Sequence, residues 1–210
     1  MSPEHERRSG YLALGDSYTI GEGVDPTEPW PNQLAVALRE HGVSIDDLRI
    51  IATTGWTTDE LGAAIDAADP ANDHALVSLL IGVNNQYRGR SLENYANEFA
   101  DLLERSITFA GGHRERVFVV SIPDWGITAF ARNNARNSTA ITREIDAFNA
   151  TAKSIAEANG VAFVDITDLT RTYPDEIVED GLHPNGAHYA RWVERVLPTA
   201  ERALAAAPLY

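Results

Sequence analysis

The stretch Ala75-Leu76-Val77-Ser78-Leu79-Leu80-Ile81, closed by Gly82-Val83-Asn84-Asn85, decides how the chain folds. A strand with one wet face alternates apolar and polar residues, and this run does not. Near-continuous apolar character over a strand's length implies burial on both faces, as in a parallel sheet covered by helices on each side. The same pattern recurs downstream at Val117-Phe118-Val119-Val120-Ser121-Ile122 and Val161-Ala162-Phe163-Val164-Asp165-Ile166. Upstream, Tyr11-Leu12-Ala13-Leu14 and Leu48-Arg49-Ile50-Ile51-Ala52 complete five strands.

Helix-length segments lie between them. Trp30 to His41 ends at Gly42, and Thr58 to Ala68 stops before Pro70. Ser91 to Ala110 places Leu92, Tyr95, Ala96, Phe99, Leu102 and Leu103 on one apolar stripe before Gly111-Gly112. Ser138 to Asn159 ends at Gly160, and Ala187 to Ala207 closes the chain. Five strands, each followed by a helix, predict an α/β sandwich with a parallel sheet, and right-handed crossovers leave few ways to wind it. No repeat, low-complexity tract or linker interrupts the 210 residues, so one domain over 1–210 is expected.

Composition narrows the function classes. The formal charge is −14, and a surface so negative repels nucleic-acid backbones and anionic lipid. There are no cysteines, which removes disulfides, thiolate catalysis and Cys-ligated metal centres. No stretch approaches the roughly 20 apolar residues of a membrane span. The start, MSPEHERRSGYLALG, has too short an apolar run for a signal-peptide core, so a cytoplasmic location is expected. Lys153 is the single lysine among 17 basic residues. Arginine in place of lysine, with excess carboxylates, reads either as codon bias or as adaptation to salt, and neither bears on chemistry.

In an open α/β sheet the site lies beyond the carboxyl ends of the strands. The residues there are Gly15-Asp16-Ser17, Thr53-Thr54-Gly55, Gly82-Val83-Asn84-Asn85, Pro123-Asp124-Trp125 and a last loop with Asp180 and His183. A serine hydroxyl needs an adjacent base to become a nucleophile. Of six histidines, His183 follows the last strand with a carboxylate three residues before it, in Asp180-Gly181-Leu182-His183. Asp180 can fold back to fix the imidazole tautomer and stabilise the imidazolium of acyl transfer. Oxyanion donors are available from the Ser17 and Gly55 N–H groups and the Asn84 side-chain amide.

GDSY at Gly15–Tyr18, the glycine Gly55, GVNN at Gly82–Asn85 and DGLH at Asp180–His183 together resemble the four sequence blocks of the SGNH, or GDSL-type, hydrolases. The blocks occur in the family's order and span nearly the whole chain. The resemblance implies a flavodoxin-like three-layer α/β/α sandwich, the SGNH hydrolase fold, and ester hydrolysis through an acyl-enzyme. It assigns Ser17 as nucleophile, His183 as base and Asp180 as its orienting acid, with Ser17, Gly55 and Asn84 forming the oxyanion hole. Tyr18 replaces the leucine of the namesake motif. Asn85 replaces the usual aspartate of the third block, and is expected to brace the loop rather than do chemistry.

Each residue also has a plainer role available. Ser17 can cap a helix, His183 and Asp180 can be surface-loop residues, and Asn84 can bond backbone at a strand end. Asp16 is expected to point away from Ser17 and bond backbone, and His188 to sit on a helix face rather than bind metal. Trp30, Trp56, Tyr87 and Trp125 stand beside strand ends, where they either wall an acyl or aryl pocket or merely pack. Arg88 and Arg90 either grip an anionic substrate group or lie in a solvated loop.

The expected partner is a small-molecule ester with a short or soluble acyl group, with no cofactor and no metal. Lysophospholipid, thioester, aryl ester and acetylated sugar remain alternative substrates. A flavin- or nucleotide-binding module remains the alternative class, resting on the hydroxyl-rich loop Ser17-Tyr18-Thr19. The sequence carries no reading of oligomeric state.

Overall fold

The computed structural model describes residues 10–43, 45–133 and 136–205. In chain order the elements are β1 (Gly10–Gly15), α1 (Ser17–Ile20), α2 (Trp30–Glu40), β2 (Asp47–Ala52), α3 (Thr58–Ala68), β3 (Leu76–Leu80), α4 (Val83–Tyr87) and α5 (Leu92–Phe109). They continue with β4 (Val117–Val120), α6 (Ala129–Arg132), α7 (Ser138–Ala158), β5 (Ala162–Val164), α8 (Thr167–Thr172) and α9 (Gly186–Ala205).

The five strands form one parallel sheet in the order β2-β1-β3-β4-β5. From β1 the chain steps to one side to form β2, then returns past β1 and continues the other way. Right-handed crossovers therefore put α2 on the opposite face from α3, α5 and α7. The packing agrees: α2 lies against α9, while α5 packs with both α3 and α7. The α/β sandwich with a five-stranded parallel sheet is the expected fold. The order in which strands are added reverses between β1 and β3, the switch point where ligands bind in such sheets.

The apolar strands are buried as their pattern requires: every residue of β1, β3 and β4 is inaccessible to solvent or nearly so. Ser78 interrupts the apolar run of β3, and its hydroxyl is satisfied by the Tyr11 hydroxyl at 2.8 Å. On α5, Tyr95, Phe99, Leu102 and Leu103 face the core as the stripe predicts, joined by Phe109. Leu92, expected on that stripe, is exposed at the first turn. The strands β4 and β5 are shorter than their apolar runs, because Ile122 and Ile166 lie in the turns that follow. Residues 206 and 207, expected to end α9, lie outside the described residues. The short helices α1, α4, α6 and α8 had no periodic signal, since four to six residues hold barely one helical turn.

Candidate active site

The loop after α8 begins at Tyr173 and returns to α9 at Gly186. An antiparallel bridge between Ile177 and Pro184 closes its base, with the Val178 N–H donating to the His183 carbonyl at 2.9 Å. At its tip the Asp180 carboxylate has two tasks. Oδ1 accepts the Leu182 and His183 N–H groups at 2.7 and 3.0 Å, which shapes the turn. Oδ2 lies 2.5 Å from Nδ1 of His183. Burial works to raise the Asp180 pKa. The His183 ring and the two N–H donors outweigh it and hold the carboxyl below its ordinary range. With Nδ1 engaged, Nε2 is the ring's remaining nitrogen.

Ser17 begins α1 directly beyond β1, and its N-cap Asp16 accepts the Tyr18 N–H at 3.1 Å. Asp16 is fully buried, no described side chain partners its Oδ2, and burial raises its pKa to about 7. The Asp16 side chain takes the Tyr18 N–H, so that donor is not open to a phosphate at the loop Ser17-Tyr18-Thr19.

Gly55 stands in the loop between β2 and α3 at φ +90°, a left-handed conformation that favours glycine. The loop's own bond runs from the Trp56 N–H to the Thr53 carbonyl at 3.2 Å, leaving the Gly55 N–H out of it. Gly82, at φ +131°, turns the chain from β3 into α4, and Asn84 follows. One Nδ2 hydrogen of Asn84 goes to the Trp56 carbonyl at 2.9 Å. A primary amide has two such hydrogens, so one is left for another acceptor. Asn85 is buried and braces the loop: it accepts the Thr58 N–H at 3.1 Å and donates to the Thr58 hydroxyl at 2.6 Å.

These elements meet. A cavity of about 200 Å³ is lined by Ser17, Gly55, Asn84 and His183, with Tyr18, Thr54, Val83, Tyr87, Trp125, Phe130 and Leu182 around them. Residues 166 positions apart in the chain, Ser17 and His183, thus share one wall. No hydrogen bond joins them among the described residues.

Tyr87, Trp125 and Phe130 form an aromatic cluster with ring centroids 5.5 to 6.5 Å apart. Trp125 is held from behind by a 2.8 Å bond from its indole N–H to Gln86 Oε1. Phe130 was missed in the sequence because α6 has no periodicity. Its N–H also holds the Gly181 carbonyl at 2.9 Å, tying the pocket wall to the Asp180 turn. Trp56 does not line the cavity, since its contribution is the backbone carbonyl that anchors Asn84. Trp30 is a core residue packed edge-on against Phe118.

Arg88 and Arg90 are engaged within the protein, Arg88 by the Gly55 carbonyl and Glu60, and Arg90 by Asp59. His188 is buried against Trp192, 3.6 Å from Glu176, and burial lowers its pKa. Among the described residues no cluster of three or more potential metal ligands occurs.

A serine-bearing first loop, a glycine loop, an asparagine loop and an Asp-x-x-His turn converge at the sheet's switch point in the arrangement of an SGNH hydrolase site. The chain belongs to the GDSL-like Lipase/Acylhydrolase family, whose model matches residues 13–191. No curated protein sequence matches it. Solved structures share its fold. TesA is 20% identical with a TM-score of 0.72, covering 93% of this chain and 99% of that one. The psychrotrophic esterase EstA from Pseudoalteromonas sp. is 17% identical, TM-score 0.67, covering 94% and 99%. Axe2, an acetylxylan esterase from Geobacillus stearothermophilus, is 18% identical, TM-score 0.66, covering 91% and 94%. No helix among the described residues is long and apolar enough to cross a membrane.

Proposed function

We propose that this hydrolase is a serine esterase that cleaves small carboxylic esters through an acyl-enzyme. The observation that carries this reading is that His183, bonded through its ring to Asp180, stands on the wall of the cavity that Ser17 also lines. Nε2 of His183 takes the Ser17 hydroxyl proton as Oγ attacks the ester carbonyl, and Asp180 stabilises the imidazolium. The tetrahedral oxyanion is met by the Ser17 and Gly55 N–H groups and the second Nδ2 hydrogen of Asn84. Collapse expels the alcohol, which takes the proton from Nε2. Water, deprotonated by the same nitrogen, then releases the acid and restores Ser17.

The substrate class follows from the walls. A cavity of about 200 Å³ lies below the roughly 300–1,000 Å³ of pockets that take drug-sized ligands, and its aromatic lining favours a short acyl or small aryl group. We infer that acetyl to butyryl esters are turned over best.

The test is hydrolysis of p-nitrophenyl acetate and butyrate by the parent and by Ser17→Ala. The variant is expected to lose roughly 10⁴–10⁶-fold in kcat. A fluorophosphonate probe is expected to label Ser17. Undiminished turnover by Ser17→Ala, or labelling at a different residue, overturns the assignment.

A further inference from the structure

The peptide that follows Gly55 is held at both ends. Its N–H, from Trp56, donates to the Thr53 carbonyl at 3.2 Å, and its carbonyl, from Gly55, accepts Nη2 of Arg88 at 2.7 Å. The next carbonyl, of Trp56, accepts from Asn84. Asn84 and Arg88 are four residues apart, within α4 and at its C-cap, so the two groups that grip the glycine loop rise from one helical turn. Arg88 is itself anchored, since its Nη1 donates to Glu60 Oε1 at 3.1 Å. Glu60 also accepts the Thr57 N–H at the start of α3, and that bond with the Arg88 guanidinium holds its carboxyl below the usual range.

Gly55 is the weak point of this loop. Glycine loses more conformational freedom on ordering than any other residue, and a left-handed glycine has no side chain to restrain it. An oxyanion donor is effective only if it already points where the negative charge will form. A charge-assisted bond to the Gly55 carbonyl, stronger than a neutral one, restrains ψ of this residue where packing cannot.

We propose that Arg88 is a positioning residue of the oxyanion hole, holding the Gly55 carbonyl so that the Gly55 N–H stays directed into the cavity. The inference rests on the esterase reading for its catalytic consequence. Arg88 does not line the cavity, and its guanidinium is occupied by the Gly55 carbonyl and Glu60, so it acts through the loop rather than on substrate.

The experiment compares Arg88→Ala, Arg88→Lys and Asn84→Ala, with the Arg88→Ala/Asn84→Ala double variant, on p-nitrophenyl acetate. Removing an oxyanion donor outright costs roughly 10²–10³-fold, so a donor that is loosened but retained is expected to cost about tenfold in kcat. KM is expected to stay within about twofold of the parent, because the loss falls on the transition state. Arg88→Lys is expected to recover part of kcat, since one ammonium can reach one carbonyl but cannot bridge to Glu60 as well. The double variant is expected to lose less than the product of the single losses, the sign of a shared target.

A second measurement does not depend on activity. The Trp56 amide, bonded to the Thr53 carbonyl in the same peptide unit that Arg88 grips, is expected by NMR hydrogen exchange to exchange about tenfold faster in Arg88→Ala while α5 amides keep the parent rate. An unchanged Trp56 rate, a kcat within about twofold of the parent, or a loss confined to KM overturns the inference. Should Ser17→Ala retain full turnover, the esterase reading fails on its own, and the Trp56 exchange rate still decides whether Arg88 positions the loop.

Discussion

Asp180 holds His183 twice, through its ring Nδ1 at 2.5 Å and through its backbone N–H at 3.0 Å. One carboxylate thus both builds the turn and orients the imidazole. The two tasks separate by substitution. Asp180→Asn keeps an oxygen for the turn but loses the charge that stabilises the imidazolium, and is expected to lower kcat by roughly 10³–10⁴-fold with little change in melting temperature. Asp180→Ala loses the turn acceptor as well and is expected to melt lower. Ester kinetics and thermal melts on both check this, and an Asp180→Asn enzyme within tenfold of the parent shows that the pair is structural only.

Phe130 bounds the small cavity from α6, and it is a better target than Trp125, whose indole is buried and bonded to Gln86. Phe130→Ala lengthens the acyl space. Since each methylene in an apolar pocket is worth roughly 1–3 kcal/mol, octanoate is expected to gain at least tenfold over acetate relative to the parent. A p-nitrophenyl ester series from acetate to decanoate measures it. A parent already fastest at decanoate rules out the short-acyl reading.

Asp16 is expected to give the protein an unusual pH response. Its folded pKa, raised to about 7 by burial, lies above the reference value of 3.8. The native state therefore keeps a proton that the unfolded chain releases between these values. The stabilising contribution is complete below about pH 4 and is lost as pH rises through 7, amounting to on the order of 4 kcal/mol. Asp16→Asn cannot ionise, so its melting temperature is expected to gain on the parent's by roughly 10 °C between pH 4 and pH 8. A constant difference across that range means that Asp16 ionises alike in both states.

Gly82 takes φ +131°, and a Cβ there would stand 2.5 Å from the Tyr95 ring, itself buried and bonded to the Ile81 carbonyl. Gly82→Ala is expected to cost roughly 2–5 kcal/mol through backbone strain and overpacking. It should also lower kcat, because Asn84 is carried on the turn that Gly82 makes. Urea unfolding and ester kinetics test both effects. An Ala variant as stable as the parent would show that the turn relaxes freely.

The parallel sheet was legible in the primary sequence because strands buried on both faces are apolar at nearly every position, as at Leu76–Ile81, where Ser78 alone is polar. The long helices α3, α5 and α7 were legible for the complementary reason that a helix against a sheet shows a 3.6-residue period. Ser17, Gly55 and Asn84 stood out as reactive or conformationally special residues directly beyond strands, where a parallel sheet gathers its loops, and Asp180 and His183 stood out by their spacing in the last loop, which the structure places after α8. Trp56 and Trp30 show the limit of that reasoning, since position beside a strand does not say which way a ring turns. One serves through its carbonyl and the other packs in the core.

What only the folded chain decided is the set of contacts between loops far apart in sequence. The bond from Arg88 to the Gly55 carbonyl spans 33 residues and that from Phe130 to the Gly181 carbonyl spans 51. Such bonds leave no periodic or compositional mark, because a backbone carbonyl accepts from any donor that packing brings within reach. Local sequence therefore set the elements and the chemistry available at the sheet's edge. The tertiary structure chose which side chains face the cavity and which hold the loops that do.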